Sequence, residues 1–253
     1  MTPSPILTVL STMRQHRVRS LLIGGQACVL YGAAEFSRDT GLAVLSSPNN
    51  LDRLSEALDD LQATVIAVPP FDATYLDKGH AIHFRCGRAD AKGMRVDVMS
   101  KLRGVEPFPT LWDRRTIIET AEGATLDVLS LPDLVASKKT QRDKDWPMLR
   151  RLLEAHYTQF RAEPTDIRVS FWLRELRTPS FMISCAADFP NEAGEIAKAR
   201  PAVREAMLGN EHRIAEEFSI EEARERDADR AYWTPLMKEL EVLRRARRKE
   251  GAE

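Results

Sequence analysis

At 253 residues, 43% hydrophobic and 30% charged, the chain is long enough for one large domain, or a domain with a helical appendage, built on a real core. A formal net charge of −1 excludes a global basic field that recruits nucleic acid, so DNA is not an expected partner and any RNA contact needs a local patch. No run of about 18 apolar residues and no N-terminal cleavage signature occurs, so the expectation is a soluble cytoplasmic protein that does not engage a membrane.

The spacing of Ile6, Leu7, Leu10 and Met13 predicts a first helix over residues 5–16 that packs on a sheet. Leu21-Leu22-Ile23 reads as a short apolar strand. Gly24-Gly25 then permits a tight turn with close backbone approach before a helix over residues 26–31, whose N-terminal N–H groups suit a phosphate. A purely structural turn is the competing reading. Extended backbone over residues 39–45 puts Thr40, Leu42 and Val44 on one core-like face and Asp39, Gly41 and Ala43 on the other. Residues 46–50 read as a turn ending in an Asn helix cap, and Leu51, Leu54, Leu58 and Leu61 form the apolar stripe of the helix that follows.

Residues 63–68 predict a strand stopped by Pro69-Pro70, and residues 71–78 a loop. His80 and His83 have the His-x-x-His spacing, but on a strand positions three apart face opposite ways. A strand over 80–86 that pairs with 94–99 across a polar loop is the preferred reading. In 94–99 the residues Met94, Val96 and Val98 are the buried set, and Asp97 points away from them. Phe108 and Trp112 sit in a proline-punctuated segment and read as packing residues, with base stacking as the alternative. Residues 125–129 supply a closing strand.

Ser130-Leu131-Pro132-Asp133 has the form of a capping box, so a helix starts there and carries Lys138 and Arg142 four apart on one face. Arg142 and Asp145 are expected to pair at a junction, after which Trp146-Pro147 opens a helix with Leu149, Leu152 and Leu153 inward. Beyond residue 160 the chain is expected to be helical: 193–207 with an interruption at Pro201, then two charged runs over 220–229 and 233–248. The basic tract 243–249 reads as a helix end whose cations suit the dipole, with RNA phosphates as the alternative. Cys28, Cys86 and Cys185 lack metal or framework spacing and read as reduced, buried thiols.

Over roughly residues 18–155, Gly24-Gly25, Asp39 and Asp97, with Arg38 and Thr40 beside the first acid, resemble the nucleotidyltransferase superfamily of the DNA polymerase β type. Its small bacterial members include abortive-infection-type toxins of toxin–antitoxin pairs. Those proteins carry a Gly-Gly or Gly-Ser turn, Asp-x-Asp on the next strand and a third Asp on a later one; Gly41 stands here in place of the second Asp. The resemblance implies an α/β fold with a mixed sheet packed by helices over 1–160, followed by an α-helical region over 161–253. It implies Asp39 and Asp97 as catalytic residues and ligands for Mg²⁺ or Mn²⁺, and Gly24, Gly25, Arg38, Thr40 and Lys138 as nucleotide-binding residues, with Lys139 as the competing register. The implied reaction is metal-dependent transfer of a nucleoside monophosphate from a nucleoside triphosphate to an RNA end or a protein hydroxyl, with RNA or an antitoxin protein as a partner. Glu35 and Asp72 are the other acids weighed as substitute ligands. The alternatives are a catalytically inactive relative, natural or engineered, that binds nucleotide or protein, and a plain interaction module.

Overall fold

The computed structural model describes residues 4–34, 37, 39–120, 123 and 125–250. Contacts divide the chain into two compact units, one of Met1–Leu30, Glu35–Ser137 and Ala231–Glu253, the other of Tyr31–Ala34 and Lys138–Arg230. The described residues form an α/β protein with a seven-stranded mixed open sheet, and residues 145–250 are almost wholly helical. No helix among the described residues is long and apolar enough to cross a membrane.

The sheet belongs to the first unit. Its strands are β1 (Ser20–Ile23), β2 (Asp39–Val44), β3 (Thr64–Val65), β4 (Ile82–Arg85), β5 (Arg95–Met99), β6 (Thr116–Glu119) and β7 (Thr125–Val128), in the order β3-β4-β5-β2-β1-β7-β6. Strand β2 pairs antiparallel with β1 and parallel with β5, while β4 pairs antiparallel with β5 as the expected hairpin. Thr40, Leu42, Val44, Val96 and Val98 are buried as the alternation expects, but Met94, expected with them, is only half-buried, and Ala43 on the other face of β2 is buried as well. Helix α1 (Pro5–Gln15) and helix α3 (Pro48–Asp60) pack against one another, and α3 buries Leu54, Ala57 and Leu58. Between them in sequence lies the two-turn helix α2 (Gly24–Leu30), in contact with β1 and β2.

Several local expectations change. The Asn cap of α3 is instead Ser47, which makes no side-chain cap bond. Asn50 is buried, 3% exposed, and its amide accepts from the Arg19 N–H at 2.7 Å and donates to the carbonyls of Leu45 at 2.8 Å and Arg19 at 3.2 Å. An amide carries both donor and acceptor, so one side chain joins the start of β1 to the end of β2. Residues 71–78 are not all loop, because Asp72 accepts from the Thr74 N–H at 2.7 Å and caps helix α4 (Ala73–Lys78), which Gly79 ends at φ +102°. Strand β3 is only two residues long, and β6, absent from the sequence reading, forms the edge beside β7.

Helix α5 (Phe108–Asp113) buries Phe108 and stacks it against Trp112, the packing role expected. At the start of helix α6 (Leu131–Ser137) the Ser130 arm of the expected capping box is present, its Oγ accepting from the Asp133 N–H at 3.4 Å; the same Oγ donates to the Asp133 carboxylate at 2.6 Å, which also receives a two-pronged bond from Arg114 at 2.6 and 2.7 Å. All three cysteines are free and buried.

The second unit stacks helices α7 (Asp145–Phe160), α8 (Asp166–Glu175), α9 (Pro179–Asp188), α10 (Pro190–Ala197) and α11 (Pro201–Met207) around Tyr157, Trp172, Met182 and Cys185. Arg200 donates to the carbonyls of Leu173 and Leu176 at 2.8 and 2.9 Å, so the end of α8 is capped by a side chain that also grips Glu221. The two charged runs foreseen at 220–229 and 233–248 are one helix, α12 (Glu211–Glu250), which passes through Pro235. The boundary between the two units falls within it, after Arg230.

His156 accepts a hydrogen bond from the Trp172 indole N–H at 2.9 Å, and burial, helped by Arg168, pushes its pKa down to about 4. The unfolded imidazole titrates near 6.5, so the unfolded chain takes up the proton first as pH falls. Stability carried by neutral His156 is therefore complete above pH ~6.5 and is lost progressively down to about pH 4, by ~3 kcal/mol at most, solvent screening of the partly exposed ring reducing it. Urea unfolding at pH 7 and 4.5 measures the loss, and His156→Gln removes most of it from that window.

Candidate functional site

The residues singled out in the sequence fall into two groups. Asp39, Gly41 and Asp97 share one face of the central sheet, because β2 and β5 pair with Asp39 opposite Arg95 and Gly41 opposite Asp97. On the far side of β5, His83 is the cross-strand partner of Asp97. The register thus lines up His83, Asp97 and Gly41 across three strands, with Arg95 and Asp39 one step along.

The chemistry of this row is dominated by Arg95. Its guanidinium Nε donates to Asp97 Oδ1 at 2.8 Å, and Asp97 Oδ1 also lies 2.7 Å from His83 Nδ1. Burial opposes ionisation of Asp97, but the hydrogen bonds from His83 and Arg95 outweigh it and hold the carboxyl below its usual range. The Arg95 pKa is raised, chiefly by its bond to Asp97 and further by the charge of Asp39. A protein cation therefore stands beside both acids.

A divalent metal fits this row poorly. Mg²⁺ wants several hard oxygen ligands in near-octahedral order. Gly41 offers none, Asp97 is shared with a guanidinium and an imidazole, and Arg95 would repel the ion. Among the described residues no group of three or more His, Cys, Asp or Glu is arranged to hold a metal. Asp72 is the cap of α4, and Glu35 lies outside the described residues.

A side chain at position 41 also has a neighbour to meet. A Cβ there falls 3.1 Å from Ile23 Cγ1 and 3.5 Å from the Ile23 carbonyl oxygen, so the isoleucine must shift before any larger residue is accommodated. The glycine lets β1 and β2 lie close with Ile23 folded over it.

The glycine turn has a structural explanation of its own. Gly24 adopts φ +71°, the left-handed region that favours glycine, where the chain leaves β1. A Cβ on Gly25 would lie 2.5 Å from Ser37 Oγ, and Gln26 donates from its amide to the Ser37 carbonyl at 2.6 Å. Gly25 and Gln26 together hold Ser37, two residues before β2. Arg38 lies outside the described residues. Thr40 is completely buried on the opposite face from Asp39 and Asp97, so it belongs to the core and does not line the acidic row.

Lys138 belongs to the second unit and is not helical, since α6 stops at Ser137. It is 7% exposed and reaches Asp145 Oδ1 at 3.2 Å. Asp145 also accepts from Thr140 Oγ at 2.5 Å and from Arg142 Nε at 2.7 Å, the last being the junction pair expected. Burial raises the Asp145 carboxyl, but Lys138, Thr140 and Arg142 outweigh it and hold it below its usual range. Lys139 pairs with Glu175 at 2.7 Å, so neither register of the lysine pair presents an unengaged ammonium. Sequence reasoning missed Arg95 and His83 as partners of Asp97. The available signal was the i, i+2 spacing of Arg95 and Asp97 on a strand, which puts opposite charges on one face.

Arg95→Leu leaves Asp97 with His83 alone and should cost about 1.5–3 kcal/mol at pH 7, the range for a charge-assisted bond. Because the folded pKa of Asp97 is depressed, this contribution is present above the unfolded carboxyl value and disappears as pH falls through the folded one. Urea unfolding of both proteins at pH 7 and pH 3 measures the convergence; an equal deficit at the two values would show a packing loss instead. Comparison with protein-family models and with curated proteins returned no match.

Proposed function

We propose that this chain is a nucleotidyltransferase-like protein in which the acidic strand face has passed from metal-dependent transfer to binding, with Arg95 as its resident cation. One observation carries the reading: Arg95 stands opposite Asp39 and donates to Asp97 at 2.8 Å, so the two acids already share a positive charge supplied by the chain. The resemblance to the superfamily is supported by the order of parts, a strand, a glycine turn, an antiparallel partner bearing the first acid, and a parallel neighbour bearing the later one. The loss of function is supported by Gly41, whose place under Ile23 leaves no donor where a second acid would stand. On this reading the protein serves by binding a nucleoside triphosphate or a protein partner of the antitoxin kind.

A second reading is kept by the common face of Asp39 and Asp97 on adjacent parallel strands. An active transferase would use those two carboxylates for Mg²⁺ or Mn²⁺ and move a nucleoside monophosphate from a triphosphate to an RNA end or a protein hydroxyl. That reading requires Arg95 to swing away from both acids.

Incubation with each labelled nucleoside triphosphate, Mg²⁺ or Mn²⁺ and total RNA separates the two. The expected result is no label on RNA or on the protein, and triphosphate binding by calorimetry that is not strengthened when Mg²⁺ replaces a chelator. Gly41→Asp alone should stay silent, because Ile23 and Arg95 both remain in place. Metal-dependent label transfer by the unaltered chain would overturn the proposal and establish the second reading.

A further inference from the structure

On the face of the sheet opposite the acidic row, a cavity of about 230 Å³ opens between the end of α1, strands β1 and β7, and Trp112. We infer that this cavity is a binding site for a small amphipathic organic anion, a carboxylate carrying an aliphatic body. It is independent of the function proposed above, since its floor is made by residues that alternate away from Asp39 and Asp97.

The floor is aliphatic. Met13, Leu22, Leu42 and Leu126 line it and are themselves buried, so apolar contact is confined to the few atoms that reach the cavity, with no polar group to satisfy. The mouth carries Arg14, Arg17 and Arg19. Arg14 is anchored, donating to the carbonyl of Thr125 at 3.3 Å and to its hydroxyl. Neither Arg17 nor Arg19 has a carboxylate partner among the described residues. Asp127, the one acid in the lining, accepts from Arg115 Nε at 2.5 Å, so its charge is already matched. Three guanidinium groups around an aliphatic floor select an anionic head with an apolar tail.

Two further observations narrow the class. Trp112 is already engaged, with the Arg115 guanidinium 4.1 Å and the Arg19 guanidinium 5.9 Å from its centroid and Phe108 stacked at 5.8 Å, which disfavours stacking of a nucleobase on it. The volume is below the range of about 300–1,000 Å³ typical of larger ligand sites, which suits a short acyl chain.

Arg17 itself is placed at a conformational cost. It sits at φ +55° just past the end of α1, where Val18 N–H bonds to the Met13 carbonyl and Arg17 N–H to that of Arg14. In this helix-ending pattern glycine is the unstrained residue. A side chain there that lines a cavity separates a binding role from a folding role, because removing it should relieve the backbone.

Titration of the full chain with sodium octanoate, octan-1-ol and inorganic phosphate, followed by calorimetry and by the indole N–H resonance of Trp112, tests the inference. Saturable octanoate binding that shifts the Trp112 signal, tighter than binding of either other probe, is expected. Arg17→Gly should weaken octanoate about tenfold, the loss of one charge-assisted contact, while raising the melting temperature by roughly 2–4 °C. Arg19→Gln should weaken octanoate as well without altering the fold by circular dichroism. Octanoate that binds no better than octan-1-ol, phosphate that binds as tightly as octanoate, or Arg17→Gly and Arg19→Gln proteins that both bind like the unaltered chain would each overturn it.

Discussion

Strand β2 has a partner on each side, antiparallel β1 and parallel β5, and these two registers decide the surroundings of every side chain on it. Leu42 lies opposite Leu22 on β1 and Val98 on β5, so that face closes into core. Its reverse must then carry Asp39 and Gly41 beside Arg95 and Asp97. A slip of one residue would drive the two acids into the core and expose the leucine, so burial on one face fixes the electrostatics of the other. The floor of the arginine-rimmed cavity depends on the same pairing, since Leu22 and Leu42 meet there.

Most of this frame was legible from period-two alternation. The burial of Thr40, Leu42, Val96 and Val98, the hairpin of β4 with β5, and the Ser130 cap of α6 all rest on rules that act over two to four residues. What was not legible acts over longer separations or through competing use of one residue. Asn50 reads as a helix cap but serves carbonyls of Arg19 and Leu45 instead. Helix α4 is six residues long, too short for a periodic stripe, and its stop and start signals read as loop. The charged runs over 220–229 and 233–248 read as two, yet they are one helix that continues through the residues between them and through Pro235. Of the candidate site, the shared face of Asp39 and Asp97 was readable. Its occupation by Arg95 and His83 was not, since a spacing of two on one strand states that charges are near without stating which will bond.

The chain is 30% charged yet nearly neutral, and within each unit charge is met locally. Asp97 is held by Arg95, Asp133 by Arg114, and Asp145 by Lys138 and Arg142. Arg177 and Arg200 both address Glu221. Pairs with a buried member add little net stability over apolar packing, but losing one partner is costly. They act as registration marks: Asp145 fixes the segment that follows α6, and Glu221 fixes α12 against the end of α8.

Asn50 makes the junction of β1 and β2 depend on the chemistry of one atom. Its amide nitrogen donates to two carbonyl oxygens, while its oxygen accepts from one N–H. Hydrolysis of that amide to a carboxylate changes one atom and almost no volume, yet it turns the donor into a negatively charged oxygen aimed at two others. A buried carboxylate facing carbonyls has no partner to stabilise its charge. Loss of the amide at this single position would therefore loosen the junction of β1 and β2 from within.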